Sequence, residues 1–245
     1  MVRASKAAVR RALKAYCDRR PKWVRDLRDK LRTYADARRA FRGTGDLASF
    51  QKVYTDLRKW KVFRGGRVKP AKWVFQRIAE FGRRLQRRRL SELRSADWPR
   101  IWHALQRLRE IKPVGGGKPS VTAISKFLHV WNPRLFVICD RQEVEQFVFG
   151  HRWLADQLSE SDSVLQTASV DAHEDSGLTN YLRMLAFSSA VAKAHPFLAT
   201  EFARTVRHLL DRGSVPGDIG SYEATAVEWC FVGLAEMPPA GVKLL

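Results

Sequence analysis

Cysteine is scarce in this chain of 245 residues. Cys17, Cys139 and Cys230 are odd in number, widely separated and outside any CxxC or Cys/His pattern, which excludes a disulfide framework and a zinc site and predicts reduced, buried thiols. Long apolar runs are missing too. No stretch approaches the roughly 20 consecutive apolar residues that a bilayer span needs. The opening MVRASKAAVRRALKAYCDRR also lacks the apolar centre of a secretory signal, so a cytoplasmic, nucleoid-associated location is expected. Nowhere does the sequence sustain the apolar/polar alternation of strands, and no segment repeats with the period of a solenoid. Acid is scarcest at the front of the chain. Residues 1–118 hold 35 lysines and arginines against 10 acids, a net of +25, while residues 119–245 hold 10 against 15, a net of −5.

A field this asymmetric attracts polyanions, and nucleic acid is the common partner. An anionic membrane fits less well, because tryptophan and phenylalanine are spread among the charges and form no single amphipathic face. Hydrophobic residues at 45% and aromatics at 11% give the chain enough to bury, which excludes general disorder. Apolar residues recur every three or four positions over 6–20, 22–42, 46–63, 71–93, 98–111, 120–131, 141–158, 178–194, 197–213 and 221–237, each bounded by Pro, Gly, Ser or Asp. Asp46 and Asp97 are placed to cap two of these helices, with Pro99 in the first turn of the second. The expectation is an all-α, two-lobed helical bundle of about ten helices. Residues 1–112 form a basic helical lobe and 113–245 a hairpin and C-terminal helical lobe, with a cleft between them.

Two segments carry most of the chemistry. In GRRLQRRRL, five arginines surround Leu85 and Leu90, a density that repels itself unless an anion neutralises it. Arg83, Arg84, Arg87 and Arg88 are therefore candidate phosphate contacts. The second segment is GGGKPSVTAISKFLHVWNPRLFVICD, residues 115–140. Gly115, Gly116 and Gly117 let the backbone approach a ligand closely, Lys118 adds charge, and Pro119 or Ser120 opens a helix whose free N–H groups suit a phosphate. It is no nucleotide P-loop, since no Ser or Thr follows Lys118 directly and no strand precedes it. In the helix that follows, Val121, Ile124, Leu128 and Trp131 share a face; Ser125 and His129 fall elsewhere, and Lys126 lies between, at a cleft edge. Asp140 opens the tetrad Asp140-Arg141-Gln142-Glu143, a capping box in form. An N-cap carboxylate is oriented, kept ionised by the helix dipole, and able to act in chemistry as well.

A glycine-rich hairpin, a helix with alanine and lysine near its start, a proline-containing apolar connector and an aspartate opening the next helix together resemble the helix-hairpin-helix superfamily of DNA glycosylases. The resemblance covers about thirty residues. It implies that Gly115, Gly116 and Gly117 bind DNA phosphates through their amides and that Asp140 is the essential acid at the mouth of a base pocket. Lys118 or Lys126 stands near the lysine that is the nucleophile in bifunctional members. The chain is also similar to branches that remove modified bases from phage DNA. The activity so implied is hydrolysis of an N-glycosidic bond in double-stranded DNA after base flipping, without cofactor, metal, membrane or obligate protein partner.

The target base must leave the stack, and Trp60, Phe63, Trp98, Trp102 and Trp131 are candidates to replace or sandwich it. One rival is a non-catalytic basic DNA- or RNA-binding protein in which Asp140 only caps a helix. Another is a nuclease using Glu223 and Glu228 as metal ligands, which their spacing disfavours.

Overall fold

The computed structural model describes residues 5–42, 45–57, 60, 62, 67–112, 119–140, 166, 176–210 and 215–235. Among them the chain forms eleven α-helices and no β-strand, as expected for an all-α protein. They are α1 (Lys6–Arg19), α2 (Pro21–Arg25), α3 (Leu27–Ala40), α4 (Leu47–Asp56), α5 (Ala71–Ala79), α6 (Gly82–Arg87), α7 (Trp98–Arg107), α8 (Val121–Trp131), α9 (Ser176–Ala194), α10 (Leu198–Leu209) and α11 (Glu223–Ala235). The glycine hairpin and the helix expected over 141–158 lie outside the described residues.

Local chemistry explains where the helices start and where long periodic stretches break. Side-chain oxygens of Ser5, Asp46 and Ser120 accept from Ala8, Ala48 and Ala123 amides at 3.2, 2.9 and 3.3 Å, satisfying first-turn donors of α1, α4 and α8. The stretch 22–42 is not one helix; it turns at Asp26, whose ψ is 1°. The stretch 71–93 is interrupted at Gly82, where φ is +74°, a left-handed conformation that glycine alone adopts without cost. Asp97 does not cap α7 as expected. Its carboxylate accepts from the Arg94 amide at 3.0 Å and closes the short turn Ser95–Asp97 instead.

The two ends of the chain meet. Helix α1 lies on α11 so closely that a Cβ on Gly233 would sit 1.8 Å from the carbonyl oxygen of Ala12. Beside that crossing, Tyr16 stacks on Trp229 with ring centroids 4.4 Å apart. One apolar cluster runs from Val9 to Leu234, so the change of charge near residue 113 has no counterpart in the packing of the core. Cys139 and Cys230 are buried within this core and Cys17 lies at its margin, all three reduced. Burial pushes the Cys230 thiol up to about 12, which leaves it unreactive at neutral pH.

Helix α8 is the central element. Every residue from Ala123 to Trp131 is buried, so the sequence reading that set Ser125 and His129 off the packed face, and Lys126 at an edge, is corrected: the helix has no solvent face over this span. The segment 132–140 then runs back along it. Ser125 Oγ accepts from the Cys139 amide at 2.9 Å, and the Phe136 carbonyl lies 2.6 Å from His129 Nδ1. Pairing 125 with 139 and 129 with 136 is the register of an antiparallel return, and it delivers Asp140 beside Lys126. No helix among the described residues is long and apolar enough to cross a membrane.

Candidate active site

A lysine in the middle of a fully buried helix needs partners for its charge. Lys126 is 3% exposed. Its Nζ donates to Asp140 Oδ2 at 2.7 Å and to the carbonyl of Trp60 at 3.1 Å. The Asp140 side chain is 22% exposed, so the pair is sealed on the lysine side and open on the aspartate side. A second amine converges on the same place. Lys112 is also buried, and its Nζ donates to the Val62 carbonyl at 2.9 Å, two residues from Trp60. Burial first, and then the charge of Lys126, hold the Lys112 amine below the ordinary lysine range. Two amines and one carboxylate thus gather near the carbonyls of Trp60 and Val62.

This cluster unites the two residues the sequence marks as catalytic and adds one it did not mark. Lys112 ends the short helical turn Arg109–Ile111 in a run of basic residues, where nothing in one sequence separates it from its solvated neighbours. Lys118, the other lysine candidate, and Gly115, Gly116 and Gly117 lie outside the described residues. Ser120 is at the N-cap of α8, its hydroxyl engaged by Ala123 N.

A crevice of about 10 Å³ adjoins Trp60, lined among others by Tyr34, Ile138 and Glu228, and neither Lys126 nor Asp140 is among its lining residues. It admits about one water and no nucleobase. Trp60 is half-buried there, whereas Trp98, Trp102 and Trp131 are core residues unavailable for stacking. Phe63 lies outside the described residues. His129 is a packing residue: Nδ1 meets the Phe136 carbonyl, and Nε2 meets the Tyr34 hydroxyl at 3.0 Å and Thr225 Oγ1 at 3.3 Å. Burial, opposed by the Phe136 hydrogen bond, lowers its pKa to about 4. The nuclease arrangement is not formed. Glu223 accepts from the amide and hydroxyl of Ser91, both at 2.9 Å, while Glu228 lies in the crevice. Among the described residues no group of three His, Cys, Asp or Glu side chains could hold a metal.

The arginine run does not make one flat strip. Arg84 lines a cavity of about 390 Å³ with Arg100 and Arg107, and lies 3.5 Å from buried Asp97. Arg87 lines a different cavity of about 860 Å³. Arg88 is half-buried and Arg83 stands in the first turn of α6. What fixes this run is Asn132, a residue that no sequence pattern singles out. Its buried Nδ2 donates to the carbonyls of Leu85, Gln86 and Arg88 at 2.9, 3.2 and 3.1 Å, tying the end of α6 to the end of α8.

Comparison with models of protein families, with curated proteins and with solved structures finds no match to this chain. What the fold and site define is an all-α protein with a buried lysine paired to a partly exposed aspartate, on a scaffold of strong positive charge.

Proposed function

We propose that the protein is a DNA glycosylase, excising a modified base from double-stranded DNA by hydrolysing its N-glycosidic bond after base flipping. The observation that carries this reading is the 2.7 Å contact between Lys126 and Asp140, sealed on one side and open on the other. As the glycosidic bond breaks, positive charge grows on the sugar, and a fixed carboxylate opposes it. Asp140 also accepts the proton of the attacking water, whose oxygen bonds to the anomeric carbon while the base departs with the bonding electrons. Lys126 aims the carboxylate through its 2.7 Å hydrogen bond. In a lyase branch of the same chemistry, Lys126 gives its proton to Asp140 and the free amine, in place of water, bonds to the anomeric carbon while the base departs with the bonding electrons. Arg84, Arg87 and Arg88, with the basic helices around them, supply phosphate contacts that carry no sequence information. Modified phage DNA is the substrate class that the resemblance favours.

Neither Lys126 nor Asp140 lines any of the three described cavities, so the base pocket this reading needs is not among them. That observation favours the second reading, a non-catalytic nucleic-acid-binding protein in which the pair only supports α8. Excision assays on duplexes carrying oxidised, alkylated, deaminated or hypermodified bases separate the two. The glycosylase reading predicts release of at least one base class in chelator, lost in Asp140→Asn, whereas inactivity on the whole panel leaves the binding protein. Borohydride trapping of a protein–DNA adduct, absent in Lys126→Gln, assigns the lyase branch.

A further inference from the structure

The cavity of about 860 Å³ at the far end of α8 is lined by five arginines, Arg38, Arg39, Arg42, Arg87 and Arg134, and by one carboxylate, Asp218. The arginines come from α3, the residue pair after its end, α6 and the return segment, so separate elements converge on one hollow. Asp218 pairs with Arg38 and, at 2.5 Å, with Arg134. Burial works against its ionisation, yet the two arginines hold it below the usual carboxylate range. Arg39 pairs with Asp36 outside the cavity lining. Arg42 and Arg87 are exposed and meet no carboxylate among the described residues, and Nε of Arg38 is buried without a hydrogen-bond partner. Like charges converging in a concave site cost free energy unless an anion offsets them.

We propose that this cavity binds a compact anion with two or more phosphate groups. Its volume is in the range of small-molecule sites, and guanidinium groups match phosphate oxygens in forked pairs. Trp131 and Phe41, which floor the cavity, are buried, so recognition is of phosphates and not of a stacked base. The shared chemistry is the oligophosphate; its source is either a free polyphosphate or consecutive phosphates of a DNA strand. The site does not depend on the chemistry at Asp140, with which it shares no residue.

The test titrates inorganic tripolyphosphate at constant ionic strength, read by calorimetry. Saturable binding is expected, weakened about tenfold or more in Arg42→Ala/Arg87→Ala, whose side chains make no hydrogen bond or ion pair among the described residues. Unchanged binding is expected in Arg11→Ala/Lys22→Ala, which removes equal charge from exposed positions on α1 and α2, and in Asp140→Asn. Displacement of bound tripolyphosphate by a short duplex assigns the DNA backbone as source; retention assigns a free anion. No saturable binding, or equal weakening by both double variants, overturns the proposal whether or not the protein excises bases.

Discussion

Lys126 Nζ lies 2.7 Å from Asp140 Oδ2, across fourteen residues of sequence, with the lysine buried and the acid partly in contact with solvent. Removing one member of such a pair strands the other charge, at a cost of about 3 kcal/mol or more. We expect Asp140→Asn and Lys126→Gln each to lower stability by that order, and the double variant to lose much less than the sum. Urea unfolding of the four proteins measures this coupling. Strict additivity would falsify the pairing.

His129 sets the acid side of the stability curve. Its folded pKa of about 4 lies below the usual 6.5, so the unfolded chain binds a proton that the folded protein does not. Stability is whole above about pH 6.5 and falls as pH drops toward 4, by up to about 3 kcal/mol. Asp36, Glu201 and Asp218, held low by their arginine partners despite burial, add their losses only below the ordinary carboxylate pKa. A denaturation series from pH 7.5 to 4.5 should show the loss, and His129→Gln should flatten it; an unchanged slope in that variant assigns the effect elsewhere.

Asn132 is the clamp between α8 and the arginine run. Asn132→Ala removes a donor from the carbonyls of Leu85, Gln86 and Arg88, of which Leu85 keeps the Arg88 amide, and is expected to cost about 2 to 3 kcal/mol. Asn132→Asp turns a carboxylate toward those carbonyls and costs more. Thermal melts rank the two, and the reverse order contradicts the hydrogen-bond assignment.

Gly233 leaves room for the carbonyl of Ala12. Gly233→Ala forces α1 off α11, because the obstacle is backbone and cannot rotate away. The expected loss is about 3 kcal/mol or more, and Ala12→Gly does not rescue it. Near-normal stability of Gly233→Ala would show that the two ends pack more loosely than described.

Much of this was legible in the sequence because it rests on local rules. Helical periodicity marked the described helices, and Ser120 and Asp46 cap as their types suggest. Asp140 and Lys126 were marked by a short motif, and their contact follows from the return of segment 132–140 along α8. The misses came from long-range packing. Lys126 reads as an edge residue on a helical wheel because the wheel shows one face, whereas α8 is enclosed on all sides. Lys112 looks like any basic neighbour until the fold brings Val62 to it. Asn132 reveals its role only through carbonyls more than forty residues away. Gly82 carries no sign in its neighbours that φ will be positive.

The most direct measurement is single-turnover excision by the wild-type protein and by Asp140→Asn on a duplex carrying the base it releases, with duplex affinity measured alongside. The account predicts a rate at least about a hundredfold lower in Asp140→Asn with affinity within about threefold, since the phosphate contacts lie elsewhere. Equal rates, or a rate loss matched by a loss of affinity, would contradict it.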